Sequence, residues 1–173
     1  MNTLLSAASL SHSAGNLQRL RFAPILSAES CAMVYPHLAW AGYLPDWDGP
    51  LPEEQPTAYL LMLAPQKDAS HFLVGVDTGI CAQNILSTAH ALGLGGCIIR
   101  NFEQERLLSL LALDGTQWSV VLVLALGEPK ETVRLVPVAD GNIRYYRDPD
   151  SIHYVPKYSP EELILLPPDS ALH

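Results

Sequence analysis

Two uninterrupted apolar runs constrain the fold of this chain more than any other feature. They are Ala58–Ala64 (AYLLMLA) and Ser119–Leu126 (SVVLVLAL). A strand with one face in water alternates apolar and polar residues, so a run of strand length without alternation needs cover on both faces. The intervening and flanking segments can supply that cover. Asp77 to Leu92 reads as the clearest helix, with Asp77 placed to cap its start and Ile80, Ile85, Leu86, Ala89 and Leu92 recurring on one face. Gly93 suits the left-handed position that follows a last helical turn. Glu103 to Leu113 reads as a second amphipathic helix and Thr3 to Leu10 as a helix of two turns. Leu20 to Leu26 reads as a strand that Pro24 confines to an edge or a bulge. Ser159-Pro160-Glu161-Glu162 has the spacing of a capping box. Helices and strands mix throughout and no internal repeat is visible. The expectation is an α+β fold with a central sheet packed by helices, and 173 residues suit a single domain spanning 1–173.

Composition narrows the function classes. Hydrophobic residues make up 49% and charged residues 16%, a balance that excludes disorder and leaves little charge to cover a monomer. Part of the apolar surface is therefore expected to lie under a partner subunit. The formal charge is −8 and no basic run occurs, which argues against nucleic acid as a partner. Cys31, Cys81 and Cys97 are odd in number and lack CxxC spacing, so neither a disulfide framework nor a zinc site is expected. They read as thiols packed as small apolar side chains in a reducing cytoplasm. The start MNTLLSAASLSHS has no basic segment, and its apolar stretch is too short for a signal peptide or a membrane span. No GxSxG, HExxH or phosphate-cradling GxxxxGK[ST] is present, and Gly93, Gly95 and Gly96 follow a helix rather than precede one.

The order and spacing of several short pieces are nevertheless specific. Asp77-Thr78-Gly79-Ile80-Cys81-Ala82-Gln83-Asn84-Ile85-Leu86, running into Ala91-Leu92-Gly93-Leu94-Gly95-Gly96-Cys97, resembles the central segment of the nitroreductase family of flavin enzymes. Ser13-Ala14-Gly15-Asn16-Leu17-Gln18 resembles that family's Pro-Ser-x-x-Asn-x-Gln loop. Trp40–Pro45, Pro56–Tyr59, Ala125–Glu131, Tyr145–Asp148 and His153–Lys157 extend the likeness to a small, short-chain branch, over about Ala7 to Leu165. The resemblance implies a nitroreductase-like α+β fold with a mostly antiparallel central sheet. It also implies an intertwined homodimer, FMN at the dimer interface and NAD(P)H as electron donor. The flavin would then reduce nitroaromatic, quinone or similar small acceptors by a ping-pong route, and no catalytic side chain is required.

Site residues follow from the same resemblance. Ser13 and Asn16 would hydrogen-bond the flavin, with Gln18 close by and His12 near the flavin edge where the family has Pro. Ile98, Ile99, Arg100 and Asn101 would pass along the ring face, with a backbone N–H of Arg100 or Asn101 near N5. Lys157 matches the cation that reaches the FMN phosphate, with Arg19 or Arg21 as further candidates. Trp40, Tyr43 and Trp47 would either rim the substrate pocket or pack across the dimer contact. Two departures are visible. The family's N-terminal Arg-Arg-Ser-x-Arg segment has no counterpart, and Tyr158 stands where an Arg commonly follows the lysine. They motivate an alternative, a nitroreductase-fold protein with weakened or lost FMN binding that serves as a binding partner.

Overall fold

The computed structural model describes residues 1–165. Its centre is a four-stranded antiparallel sheet in the order β1-β2-β4-β3. The strands are β1 (Arg21–Ile25), β2 (Ala58–Pro65), β3 (Gly95–Ile99) and β4 (Trp118–Gly127). The two apolar runs of the sequence are the two inner strands, β2 and β4. Period-2 alternation then sorts their side chains into two separate cores. Tyr59, Leu61 and Leu63 of β2 join Val120, Val123 and Ala125 of β4 on one face. Leu60 and Met62 join Leu122, Leu124 and Leu126 on the other. The register shifts between Met62 and Leu63, whose partners are Leu122 and Val120. The extra residue, Val121, is a bulge that keeps Leu63 and Val120 on the same face despite the odd spacing.

Helices cover both faces. On one lie α1 (Asn2–Ser9) and α3 (Phe72–Ala91), which contribute Leu4, Ala8, Cys81, Ala82, Ile85 and Ala89. On the other lie α2 (Ala28–Val34) and α4 (Gln104–Leu110), which contribute Cys31, Val34, Leu107 and Leu108. The ends of these helices have local causes. The Ser27 hydroxyl accepts from Ser30 N at 3.1 Å and starts α2. Gly93, at φ 77°, lets Leu94 N reach Ala89 O at 2.9 Å and Gly93 N reach His90 O at 2.9 Å, closing α3 with a Schellman turn. The last turn of α4 ends at Leu110, short of the expected Leu113, because Ala112 turns left-handed at φ 52°. Pro24 sits in β1, the edge strand its missing N–H calls for.

The chain divides into two compact units, the first being Met1–Trp40 with Trp47–Pro129. The second holds Ala41–Asp46 and the chain from Lys130 onward. It contains a three-stranded sheet of β5 (Val133–Pro137), β6 (Tyr146–Arg147) and β7 (His153–Lys157), ordered β5-β7-β6. β5 pairs with β7 in parallel and β6 with β7 antiparallel. The capping box at Ser159 forms, with Ser159 N donating to Glu162 Oε2 at 2.7 Å and Glu162 N to Ser159 Oγ at 3.3 Å.

Three further sequence-based expectations need correction. Helix α3 starts five residues before Asp77, with His71 as its cap accepting from Leu73 N at 3.2 Å, so Asp77 lies inside the helix. Ile80 and Leu92 are exposed rather than on the inward face, where Val74, Cys81 and Ala82 stand instead. Cys97 is exposed in β3, whereas Cys31 and Cys81 are buried as expected. Because Leu61 and Leu124 are fully buried on opposite faces of the sheet, replacing either with Ala should lower unfolding free energy by about 2–5 kcal/mol. Urea denaturation should show this as a lower midpoint with an unchanged slope.

Candidate functional site

The first unit has a half-open groove where the chain leaves α1 and enters β1. Its volume is about 200 Å³. Ser11, His12, Ser13, Gln18, Arg19, Arg21, Asp77 and Cys81 supply its polar lining. The loop along its rim is built against preference. Gly15, Asn16 and Gln18 all take left-handed backbone, at φ 58°, 54° and 46°. Gly15 does so freely, but each of the other two costs about 1–2 kcal/mol, least for the Asn. Surrounding bonds hold the shape. Asn16 N donates to Ser13 O at 2.9 Å, Leu17 N to Ala14 O at 3.2 Å, and Gln18 N to Ser13 Oγ at 3.2 Å. Arg21 Nη1 donates to Gln18 O at 2.8 Å and so ties down the far end.

The near end hangs on Asp77. Its side chain is 2% exposed, and Oδ1 accepts from Ala14 N at 2.8 Å across 63 positions of sequence. A hydrogen bond to a charged group contributes about 1.5–3 kcal/mol, enough to offset the strain of one left-handed residue. Asp77 Oδ2 stands 3.9 Å from Arg19 Nη1, and both atoms are buried without a hydrogen-bond partner. Sequence reasoning named Arg19 only as a candidate for the phosphate and missed Asp77, which was read as a helix cap. The available signal was a carboxylate inside an apolar stretch, Phe72 to Ala82, that continues on both sides of it. Cys81 also lines the groove, and burial pushes its thiol up, which favours the neutral thiol over the nucleophilic thiolate.

The sequence-predicted contacts fall into three places. His12, Ser13 and Gln18 line the groove, while Asn16 is exposed on the same loop outside the lining. Ile98 and Ile99 end β3, the opposite edge of the sheet from β1. Ile98 is 49% exposed and Ile99 buried. Arg100 lies over the Phe102 ring at 5.7 Å, and Asn101 O accepts from Ala39 N at 3.0 Å. With β2 and β4 between them, three strand spacings, roughly 14 Å, separate β1, which follows the loop, from β3, which leads into this segment. Lys157 ends β7 in the second unit, where its carbonyl accepts from Val138 N at 3.2 Å. Trp40 packs on Tyr35 at 5.6 Å between ring centroids within the first unit, and Tyr43 on Tyr145 at 4.9 Å within the second. Among the described residues no cluster of three or more His, Cys, Asp or Glu side chains could hold a metal ion. No helix among them is long and apolar enough to cross a membrane.

A sequence model of the nitroreductase family matches residues 1–128. The chain belongs to the nitroreductase family. Solved structures agree at the level of fold. An FMN-dependent nitroreductase from Clostridium difficile is similar over 75% of each chain, at 21% identity and a TM-score of 0.59. A family protein from Exiguobacterium sibiricum, crystallised with FMN, is similar over 76% of this chain and 77% of that one, at 17% identity and a TM-score of 0.60. An NADPH:FMN oxidoreductase from Vibrio harveyi, complexed with NAD+, is similar over 75% of this chain and 59% of that one, at 22% identity and a TM-score of 0.55. No curated protein sequence matches the chain. For a nitroreductase the groove residues fit one polar edge of a flavin, since Arg19 Nη1 is a buried donor with no partner of its own. At about 200 Å³ the groove is smaller than the roughly 300–1,000 Å³ typical of a complete small-molecule pocket.

The neutral, buried state of Cys31 and Cys81 can be checked by chemical labelling. Alkylation of the native protein at mildly alkaline pH, followed by peptide mapping, should label both at least roughly tenfold more slowly than in denaturant.

Proposed function

We propose that this nitroreductase-family chain is an FMN-dependent oxidoreductase that works as a homodimer with NAD(P)H as electron donor. Its acceptors would be small nitroaromatic, quinone-like or related molecules, reduced by a ping-pong route. The family match over residues 1–128 carries the reading, and the unpartnered Arg19 donor in the groove supports it. Bound FMN would supply the hydride chemistry between donor and acceptor. The chain's residues would bind and orient it. Ser13, Gln18 and His12 present hydrogen-bonding groups at the groove, and the left-handed turns at Asn16 and Gln18 fix where those groups stand. Arg19 would face an electron-rich oxygen of the cofactor, a preorganised cation of the kind that stabilises developing negative charge. The Ile98–Asn101 segment would lie along the ring, and Lys157 would meet the phosphate.

The separation of the groove from Ile98–Asn101 supports a shared site. Two subunits could offer the loop of one and the β3 end of the other to the same cofactor, with neither wall complete alone. Helix α3 favours a second copy of this chain as the partner. Its outward side carries Phe72, 79% exposed, with Val76 and Ile80, and Gly75 and Gly79 leave open space beside them. A helix apolar on all sides is one that another surface covers. The scarcity of charge, at 16% of residues, points the same way. The odd cysteine count without CxxC spacing supports a reducing compartment, the cytoplasm.

Purified protein should show the blue absorption band of a bound flavin, or acquire it on dialysis against FMN, and should then oxidise NAD(P)H faster than free FMN does. Protein that stays colourless after loading would favour the alternative, a partner protein built on this fold. Replacing Ile80 with Arg should split the dimer in analytical ultracentrifugation while leaving far-ultraviolet circular dichroism unchanged. FMN affinity should fall at least roughly tenfold in that monomer, the loss of about 1.4 kcal/mol or more of binding.

A further inference from the structure

Asp77 is costly where it stands. It is the sixth residue of α3, 2% exposed, and His71 already caps the helix. A buried carboxylate destabilises the fold unless polar partners meet it. One partner is Ala14 N at 2.8 Å, the first residue of the turn that leads into the left-handed loop. The other is Arg19, held at 3.9 Å by charge without a hydrogen bond. A direct salt bridge would consume a guanidinium N–H. This wider spacing leaves one unspent, on a side chain that shares the groove lining with Ser13 and Gln18.

We propose that Asp77 is a positioning residue for the cofactor, acting in two ways. Through Oδ1 it hangs the Ser13–Gln18 loop on α3. Through Oδ2 it keeps the Arg19 guanidinium at the groove wall with a donor free for an anionic or carbonyl oxygen. The second role rests on the reading of the groove as a flavin wall; the first stands without it. Strained backbone of this kind persists only where the surroundings over-determine it, and Asp77 is the link from this loop to a rigid helix.

Three variants separate these roles: Asp77→Asn, whose amide oxygen still accepts from Ala14 N, Asp77→Ala, which accepts nothing, and Arg19→Gln. Hydrogen exchange of the peptide over residues 12–20 reads the anchor in cofactor-free protein, with the β4 peptide as a control for the fold. Asp77→Ala should speed loop exchange roughly tenfold or more with β4 unchanged, and Asp77→Asn should stay within about threefold of the parent. Titration with FMN and with riboflavin then reads the donor. Asp77→Ala and Arg19→Gln should each weaken FMN binding about tenfold, the fold-change of one lost charge-assisted contact. In Arg19→Gln the loop should remain protected. Equal weakening for riboflavin assigns the Arg19 contact to the ring, and weakening for FMN alone assigns it to the phosphate. Parental loop exchange in Asp77→Ala overturns the anchor, and so does an Asp77→Asn loop as open as that of Asp77→Ala. Parental affinity of Arg19→Gln for both flavins overturns the donor role. If Asp77→Ala loses β4 protection, Asp77→Asn decides the anchor, since a protected loop supports it and an open loop over an intact β4 refutes it. A parent that binds neither flavin refutes the functional reading and the donor role, and loop exchange still decides the anchor.

Discussion

Burial of β2 and β4 on both faces is the constraint on which the rest of this structure depends. Each strand alternates its side chains between two cores, and each core needs its own layer of helices. That requirement places α3 on one face and α4 on the other, and it fixes the register within which β1 and β3 can pair. The bulge at Val121 is part of the same constraint, because without it Leu63 and Val120 would face opposite layers. The site elements are carried by this scaffold. The groove forms where α3 passes beneath the chain entering β1, and the Ile98–Asn101 segment leaves the sheet at its other edge.

The loop at the groove shows a different economy. The helices around the sheet depart from regular backbone mainly at their ends, whereas Asn16 and Gln18 hold left-handed backbone within one short loop. Such conformations survive because a rigid helix offers a fixed acceptor, Asp77, and a neighbouring strand residue, Arg21, clamps the other end. Polar groups on a loop so held have their orientation already set, which would lower the ordering cost of binding a ligand there.

Much of this was legible in the sequence, and the failures have physical reasons. AYLLMLA and SVVLVLAL announced the two inner strands, Gly93 announced the end of α3, and Pro24 announced an edge. The start of α3 was hidden because Phe72, Val76 and Ile80 face outward, so the first turns lack the polar face that marks an amphipathic helix. Asp77 then looked like a boundary when it is an interior carboxylate with a partner 63 residues away. Long-range pairing of that kind leaves no periodic trace. Cys97 failed similarly, since an apolar segment at a sheet edge can present its side chains to solvent. The loop resemblance located His12, Ser13 and Gln18 at a common groove, yet nothing in residue order revealed that Ile98–Asn101 lies across the sheet from them.

The two margins of the central sheet are unequal. The β1 margin carries Pro24, which removes one amide donor from a five-residue strand, whereas β3, of the same length, is Gly95-Gly96-Cys97-Ile98-Ile99 with every amide retained. An extended segment from another molecule would find a poor template at the first and a better one at the second. Extension of this sheet is thereby favoured at the β3 margin over the β1 margin, so its two edges are not equivalent as pairing surfaces.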